Sequence, residues 1–184
     1  MRICILHLDL GQGGAERQTV DEALALKSLG HDVTLITSHH DPKRCFEETI
    51  DPSKAKRNQI KPKKNSAKLG DKIEVYGNWI PMDLFGRCHL LMSIFRMLWC
   101  ILRMIWKRRK YDVIFVDQVP HIIPFLRGLY VNGINPDCKI IFYCHFPDLL
   151  LVPNRAKMGR WKKIYRSLFD WTEQITTACC DQLL

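Results

Sequence analysis

Two side chains that could do chemistry follow predicted strands. His145 comes directly after the strand-like run 139–144, and Asp117 closes the run 112–116. In a doubly wound fold the carboxyl ends of the strands form the ligand-binding edge of the sheet. An imidazole there can donate to a ligand hydroxyl or stabilise developing charge. A structural histidine bonded to a loop carbonyl and a solvated loop carboxylate remain as alternatives. Asp148 either orients His145 or caps a helix.

A glycine-rich turn with the sequence Gly-Gln-Gly-Gly-Ala-Glu-Arg follows the first predicted strand. Glycines let a chain turn sharply and let backbone N–H groups approach an anion at a helix N-terminus. We therefore expect Gly13 and Gly14 to contact a phosphate or sugar group, with Glu16 and Arg17 beside them in the first helical turn. A tight turn without a ligand remains open, and so does a favourable interaction of Glu16 with the helix dipole.

The details of this turn count against two nucleotide-binding motifs. Glu16 stands where the dinucleotide fingerprint needs its third glycine, and no acidic residue closes the second strand, because 37–40 reads Thr-Ser-His-His. No Gly-Lys-Ser/Thr follows, which excludes a P-loop. An oxidoreductase domain that binds a nucleotide cofactor is therefore a less favoured alternative.

Metal ligands and cofactors are not expected. His39, His40 and Asp41 cluster after the second strand, but adjacent residues in an extended loop rarely converge on one ion. None of the eight cysteines lies in a Cys-x-x-Cys pair. We expect free thiols in a reducing, cytosol-facing environment.

Alternating strands and helices position these candidate residues. One helix is predicted over 16–29, ending at Gly30. Continuous apolar strands that alternate with helices are typical of a parallel sheet covered on both faces. The sequence predicts an α/β fold with a doubly wound, Rossmann-like sheet in one domain, 1–184. The strand-like runs are 2–8, 31–37, 73–76, 112–116 and 139–144.

The net charge of +9 is concentrated in two segments. Residues 54–72 hold eight basic residues against one aspartate, and residues 107–110 are all basic. An excess of this size is typical of proteins with an anionic partner. We interpret 53–69 as a basic insertion loop. A non-enzymatic module that binds RNA or acidic lipid through this segment is a second alternative.

A mostly apolar helix with a basic collar is predicted over 88–110. Arginines at the centre of a membrane span cost about 2.5–3.5 kcal/mol each, so we expect the helix to lie in a membrane interface rather than to cross it. Arg96 and Arg103 are seven residues apart and share a face, which we expect to point toward lipid head groups. An ordinary sheet-covering helix is the alternative, and one wide apolar surface allows both roles. The predicted membrane contacts are Arg96, Arg103, Lys107, Arg108, Arg109 and Lys110.

A second amphipathic stretch covers 160–171. Its apolar stripe comprises Trp161, Ile164, Leu168 and Trp171. Packing of the stripe with a solvated basic face is the default, and snorkelling at a membrane or binding of a lipid pyrophosphate are the alternatives.

Several stretches resemble family 4 glycosyltransferases of the GT-B architecture. Gly13 to Arg17 is similar to the signature turn after the first strand of that family, and 142–151 (FYCHFPDLLL) resembles those members that build dolichol-linked oligosaccharides. The resemblance covers nearly the whole chain except 54–72. Further matching stretches are His40-Asp41-Pro42, Cys45-Phe46, Asp117-Gln118-Val119 and Asp170-Trp171-Thr172-Glu173.

The resemblance implies a retaining enzyme of protein N-glycosylation that moves mannose from GDP-mannose to a dolichol-pyrophosphate-linked oligosaccharide, first α-1,3 and then α-1,6. It implies no metal and no cofactor, with GDP-mannose as donor substrate. Related enzymes place a histidine from the strand end of His145 beside the transferred sugar, so His145 is the catalytic candidate. We count Gly13, Gly14, Glu16, Arg17, Asp117 and Asp148 as substrate-binding candidates.

The resemblance also implies two Rossmann-like halves that face each other across a cleft. The N-terminal half holds the acceptor, and the C-terminal half holds the nucleotide sugar and the groups that assist departure of GDP. We expect this chain to be the N-terminal half, truncated before the C-terminal domain, and to be inactive alone. The implied location is the cytosolic face of the endoplasmic reticulum membrane. The implied partners are that membrane surface and other early transferases of the pathway, and no nucleic acid.

Overall fold

Six parallel strands form one sheet in the computed structural model, which describes residues 1–51, 69–84, 88–145 and 160–184. The strand order is β3-β2-β1-β4-β5-β6. This order confirms the predicted doubly wound α/β fold, and it sets the carboxyl ends of β1 and β4 side by side. The strands are β1 (Arg2–Asp9), β2 (Asp32–His39), β3 (Ile73–Val75), β4 (Val113–Asp117), β5 (Lys139–Tyr143) and β6 (Gln182–Leu183).

The central strands are apolar because both faces of the sheet are covered. Successive side chains of a strand point to opposite faces. In β1, Ile3 and Ile5 pack into one core, while Cys4 and Leu6 pack into the other. The continuous apolar run of this strand therefore supplies two cores.

Helix α1 (Gly14–Ser28) covers the first face of the sheet. Its buried Val20 and Ala23 pack with Ile3 and Ile5 of β1. Gly30 follows the end of the helix, and its φ of 84° is in the left-handed region that favours glycine. Three backbone N–H groups beyond Ser28 bond back to carbonyls of the last turn of the helix, which confirms the predicted C-terminal glycine.

Three helical elements form the layer on the second face, in which the last element packs on the central one. They are α2 (His89–Trp106), a central helical segment made of Pro120–Ile122, Ile123–Phe125 and Leu126–Val131, and α3 (Arg160–Thr177). Met97 and Met104 of α2 pack with Ile122 and Leu126 against the sheet. The central segment thus lies between α2 and α3, since it also bonds to α3 through His121.

Tyr130 joins this helical layer to the start of β4. Its hydroxyl accepts a hydrogen bond from the backbone N–H of Tyr111 (2.9 Å) and donates one to the carbonyl of Arg109 (2.6 Å). The Tyr130 side chain is fully buried. Tyr130 therefore satisfies backbone groups that would otherwise be left in an apolar interior.

We expect Tyr130→Phe to lower the free energy of unfolding by about 1–3 kcal/mol, because the buried N–H of Tyr111 and the part-buried carbonyl of Arg109 lose their partner. Urea denaturation followed by circular dichroism measures this change. Tyr143→Phe is the matched control, since the Tyr143 hydroxyl makes no hydrogen bond in the described part of the chain. Equal stability of the two variants would contradict the prediction.

The predicted orientation of α2 is wrong for its arginines. Arg96 is only 3% exposed, and Arg103 is half-buried with its guanidinium 5.6 Å from the ring centre of Tyr76. Burial lowers the pKa of Arg96, although the charge of Asp9 opposes this shift. The seven-residue spacing does place both arginines on one side of the helix, but that side faces the protein. The outward side is apolar, with exposed Leu91, Phe95, Leu102 and Trp106.

The basic collar, 107–110, follows the end of α2 at Trp106, which is where the sequence predicts the helix to end. All four residues of the collar are exposed. Lys107 and Arg109 pair with Glu74 at 3.2 and 2.7 Å. Membrane contact by the collar stays a prediction.

Most of the predicted insertion 53–69 lies outside the described residues. Its last residue, Leu69, is described and fully buried in the core beneath α1. Leu69 thus belongs to the packed domain, while the insertion itself stays a prediction. The single domain 1–184 stays a prediction.

Candidate functional site

One buried carboxylate joins three elements of the fold at the carboxyl edge of the sheet. Asp117 ends β4, and its Oδ2 lies 2.5 Å from Nδ1 of His7 in β1 and 2.9 Å from Oγ1 of Thr19 in α1. Its Oδ1 lies 2.7 Å from Nε2 of His145, just after β5. The two predicted residues Asp117 and His145 are thus in contact, as the meeting of parallel strand ends requires.

The contact between His145 and Asp117 has the distance of an ion pair without the alignment of a hydrogen bond, since neither atom meets hydrogen-bond geometry with any described residue. Loose alignment of this kind is common at catalytic contacts before a substrate binds. The His145 side chain keeps 21% of its surface exposed, whereas that of Asp117 keeps 6%. His145 is therefore the member of the pair that a ligand can reach.

The charges around Asp117 keep it ionised. Burial alone would raise the pKa of this carboxyl, but His7 and His145 outweigh burial and lower the pKa below its ordinary value. Glu22, one turn after Thr19 on α1, behaves differently. Burial and the negative charge of Asp117 raise the pKa of Glu22, against the opposing effect of His145. The site thus holds one carboxylate that loses its proton easily and a nearby carboxyl that keeps its proton to higher pH.

A cleft of about 410 Å³ opens beside His145. Gln118, which follows Asp117 and also lines this cleft, has a φ of 69°, a left-handed value that is strained in a residue with a side chain. Strained backbone of this kind concentrates at functional sites. The polar and charged lining residues are His89, Ser93, Gln118, His121, His145, Arg166 and Glu173.

The glycine turn is shaped to cap α1. Gly13 precedes the first residue of the helix, and the carboxylate of Glu16 folds back over it, where a Cβ would collide with Oε2. Glu16 therefore lies at the positive end of the helix dipole. At Gly14, apart from its chain neighbours and the backbone of its own helix, no atom of the described residues lies within 4 Å of the position that a Cβ would take. The backbone of Gly14 is thus open to a ligand.

Arg17 is engaged by protein carboxylates. It pairs with Asp21 and with Glu48 (3.0 Å), and its guanidinium lies 5.1 Å from the ring centre of Phe46. Hydrogen bonds to these two carboxylates raise its pKa. Substrate binding by Arg17 stays a prediction, and a ligand would have to compete with both carboxylates.

The glycine turn and the cleft beside His145 lie at the same carboxyl edge of the sheet, but they are separate features. No residue of 11–17 lines the described cleft, although Thr19 of the same helix contacts Asp117. The predicted site residue Asp148 lies outside the described residues. Substrate binding by Gly13, Gly14, Glu16, Asp117 and Asp148 stays a prediction.

The residues described here contain no group of three His, Cys, Asp or Glu side chains that could hold a metal ion. Nε2 of His40 instead lies 3.0 Å from the hydroxyl of Thr49. The prediction of a metal-free and cofactor-free enzyme is not tested by this arrangement.

Sequence reasoning missed His7, Thr19 and Glu22. The position of His7 could have indicated a buried polar contact, because this residue is a polar ring inside the apolar run of β1. Nothing in the sequence distinguishes Thr19 and Glu22, because a threonine and a glutamate are ordinary residues of an amphipathic helix. Only the packing of α1 against β1 and β4 brings them to Asp117.

Comparison with known proteins identifies the relationships of the chain. Residues 12–184 match the sequence profile of Glycosyltransferase Family 4. The chain is 38% identical to the alpha-1,3/1,6-mannosyltransferase ALG2 of Rhizomucor pusillus over 98% of this chain and 34% of the relative. It is 40% identical to the protein of that name from Debaryomyces hansenii and 36% identical to that from Saccharomyces cerevisiae, over 100% and 99% of this chain and 34% and 31% of those relatives. The chain spans about a third of the length of these curated relatives.

Proposed function

The chain belongs to glycosyltransferase family 4, and from that membership we propose that its protein transfers mannose from GDP-mannose to a dolichol-pyrophosphate-linked oligosaccharide. The proposed products are α-1,3 and then α-1,6 linkages, formed with retention of configuration. The mannosyltransferase names of the matched relatives support this activity. An oxidoreductase domain and a non-enzymatic basic module are not favoured, because neither accounts for the family match.

The position of His145 carries the proposal. It stands at the carboxyl end of β5, lines the cleft and contacts Asp117. With Nε2 toward the carboxylate, Nδ1 remains for a hydroxyl of the transferred mannose. A fixed polar group at that place orients the sugar and stabilises charge that develops in the transition state.

The proposed reaction balances without a metal or redox partner. The bond from the anomeric carbon of mannose to the β-phosphate oxygen breaks, and its electron pair leaves with GDP. An acceptor hydroxyl oxygen bonds to the same face of that carbon, and its proton passes to the departing phosphate. We propose that the acceptor binds to the N-terminal half of the GT-B architecture, to which we assign this chain.

We place the protein at the cytosolic face of the endoplasmic reticulum membrane, and the outer surface of the helical layer supports this proposal. We call this outer surface the apolar surface. It consists of Leu91, Phe95, Leu102 and Trp106 of α2, Phe125 and Leu129 of the central segment, and Trp161, Ile164, Leu168, Trp171 and Ile175 of α3. All eleven side chains are exposed, although they are large and apolar. Exposed apolar area of this extent is typical of interaction surfaces.

Helix α2 meets the length and composition expected of a membrane span, with a mean hydropathy of 1.4 over His89–Trp106. Its inner side packs on the sheet through residues such as Met97 and Ile101, so we propose that it lies along a bilayer surface. A lipid-linked acceptor would then enter from the same surface. Association with other early transferases of the pathway also remains a proposal.

A hybrid protein tests the activity. In it, these 184 residues replace the matching third of the Saccharomyces cerevisiae relative. We expect the hybrid to transfer mannose from GDP-mannose to a synthetic lipid-pyrophosphate acceptor, and NMR of the product to show α-linkages. The intact relative is the positive control, and UDP-glucose is the control donor. A folded hybrid that transfers no mannose, or that prefers the control donor, would contradict the proposal.

Gly14 allows a separate test of the glycine turn. A methyl group at this position meets no further atom of the described residues, so we expect Gly14→Ala not to lower the free energy of unfolding. If the backbone N–H of Gly14 holds a substrate, the methyl group blocks it, and KM in the hybrid rises about tenfold, equivalent to 1.4 kcal/mol. Gly128→Ala is the matched control, since it is equally open and belongs to the central segment. An unchanged KM in Gly14→Ala would show that the turn is structural.

A further inference from the structure

We propose that His7 and Thr19 are positioning residues for His145 and that they act through Asp117. This inference rests on the proposed function, because the reaction it concerns is mannose transfer. Neither residue lines the described cleft, so neither is offered as a group that touches a substrate. The structure places both of them behind the carboxylate that His145 contacts.

The two carboxylate oxygens of Asp117 contact different residues. Oδ2 lies 2.5 Å from His7 Nδ1 and 2.9 Å from Thr19 Oγ1, while Oδ1 lies 2.7 Å from His145 Nε2. Rotation of the carboxylate about its Cβ–Cγ bond would break the contacts on the Oδ2 side. β1 and α1 therefore hold Asp117 in one orientation, and the oxygen offered to His145 is fixed with it.

The burial of His7 determines which of its nitrogens carries the proton. The side chain is fully buried, and within the described residues its Nε2 has no hydrogen-bond partner. A proton on Nε2 would leave a buried donor unsatisfied, whereas a proton on Nδ1 is donated to Asp117. His7 therefore donates its Nδ1–H to Oδ2 of Asp117, and Oδ1 of the carboxylate remains available to His145.

Fixing Asp117 in turn fixes the ring of His145. When the His145 ring is neutral, a carboxylate facing Nε2 keeps the single ring proton on that nitrogen. Nδ1 is then left without a proton and has no partner among the residues that the structure describes. Because His145 lines the cleft, this ring presents one defined acceptor to a hydroxyl group. A mobile Asp117 would let the ring turn and exchange its proton position.

Two measurements test the positioning role. The first is NMR on the ¹⁵N-histidine-labelled 184-residue chain, in which the exchange rate of the His145 Nε2–H proton with water is followed. The second is steady-state kinetics of the hybrid protein. The variants are His7→Leu, which removes the donor, Thr19→Val, which removes the hydroxyl, and His7→Asn, whose amide N–H can replace Nδ1–H. Tyr130→Phe is the matched control, since it loses buried hydrogen bonds far from Asp117 in the fold.

We expect His7→Leu and Thr19→Val to speed proton exchange at His145 and to lower kcat, each about tenfold, while KM changes less than twofold. Effects of this size are typical when the partner of a functional side chain is removed. His7→Asn restores both values to within about threefold, and Tyr130→Phe changes neither. If His7 and Thr19 had only a structural role, their replacement would lower the free energy of unfolding. The exchange rate at His145 would stay the same, and kcat would not fall independently of KM.

The outcomes separate this inference from the proposed function. Unchanged exchange in His7→Leu and Thr19→Val overturns the positioning role, whether or not the hybrid transfers mannose. Failure of the unmutated hybrid to transfer mannose contradicts the proposed function, and the exchange measurement then decides the positioning role by itself. If His7→Leu does not fold, Thr19→Val supplies the same test.

Discussion

His145→Ala is expected to lower kcat for mannose transfer by about 10²–10³-fold, the usual loss when a preorganised polar group is removed from a transition state. The imidazole is the exposed end of the contact that begins at Asp117, and alanine leaves the carboxylate facing an empty part of the cleft. The measurement is steady-state mannose transfer by the hybrid protein, with the donor and the acceptor each at saturation.

Two further variants make this result specific to the site. His31→Ala is the matched control, because His31 precedes β2 at the opposite, amino edge of the sheet, and its kcat is expected to stay within about twofold of the unmutated value. His145→Gln keeps a polar side chain, so its kcat is expected to lie between those of His145→Ala and His31→Ala. Normal turnover by His145→Ala with a folded protein would rule out His145 as a catalytic residue.

The sheet could be predicted because its central strands are apolar on both faces. In a chain with a helix-length segment after the first strand, runs such as 2–8 and 112–116 are compatible with few structures other than buried parallel strands. β6 could not be predicted, since Gln182–Leu183 is two residues long and exposed. Its pairing with Ile141 and Phe142 of β5 is a long-range contact with no local signature.

The site was predictable where topology alone determines it. Residues that close β4 and β5 lie at one edge, and for this reason the sequence predicts Asp117 and His145 at the same crevice, although their contact is seen only in the fold. His7 is a different case, because it lies inside β1 rather than at its end. Its approach to Asp117 depends on the register that pairs Leu6 with Val116, and register is a property of the whole sheet.

The arginines of α2 show a limit of periodicity. A spacing of seven establishes that Arg96 and Arg103 share a face, but it does not say whether that face is turned inward. Because arginine is charged, the sequence predicted that this face points away from the protein. In the fold, the apolar residues of α2 are numerous enough to cover both sides, and the two arginines lie toward Asp9 and the ring of Tyr76.

This reversal changes what the membrane proposal predicts. If the arginines faced the lipid, their removal would weaken binding most. With the apolar side outward, we expect replacement of Leu91, Phe95, Leu102 and Trp106 by serine to weaken binding to phospholipid vesicles about 10³-fold. Each of these side chains is already 39–81% exposed, and burying that area in lipid contributes on the order of 1 kcal/mol per side chain. Vesicle co-sedimentation of the 184-residue chain measures the partition coefficient.

Three controls separate the apolar contribution from charge and from folding. Arg108→Gln with Lys110→Gln removes two exposed cations, worth about 1 kcal/mol each near anionic lipid, and should weaken binding to anionic vesicles but not to neutral ones. Leu29→Ser removes an exposed leucine at the end of α1, on the other face of the sheet, and should change nothing. Circular dichroism checks that the fourfold variant remains folded, as its outward positions predict. Unchanged binding by a folded fourfold variant would contradict contact between the outer side of α2 and the bilayer.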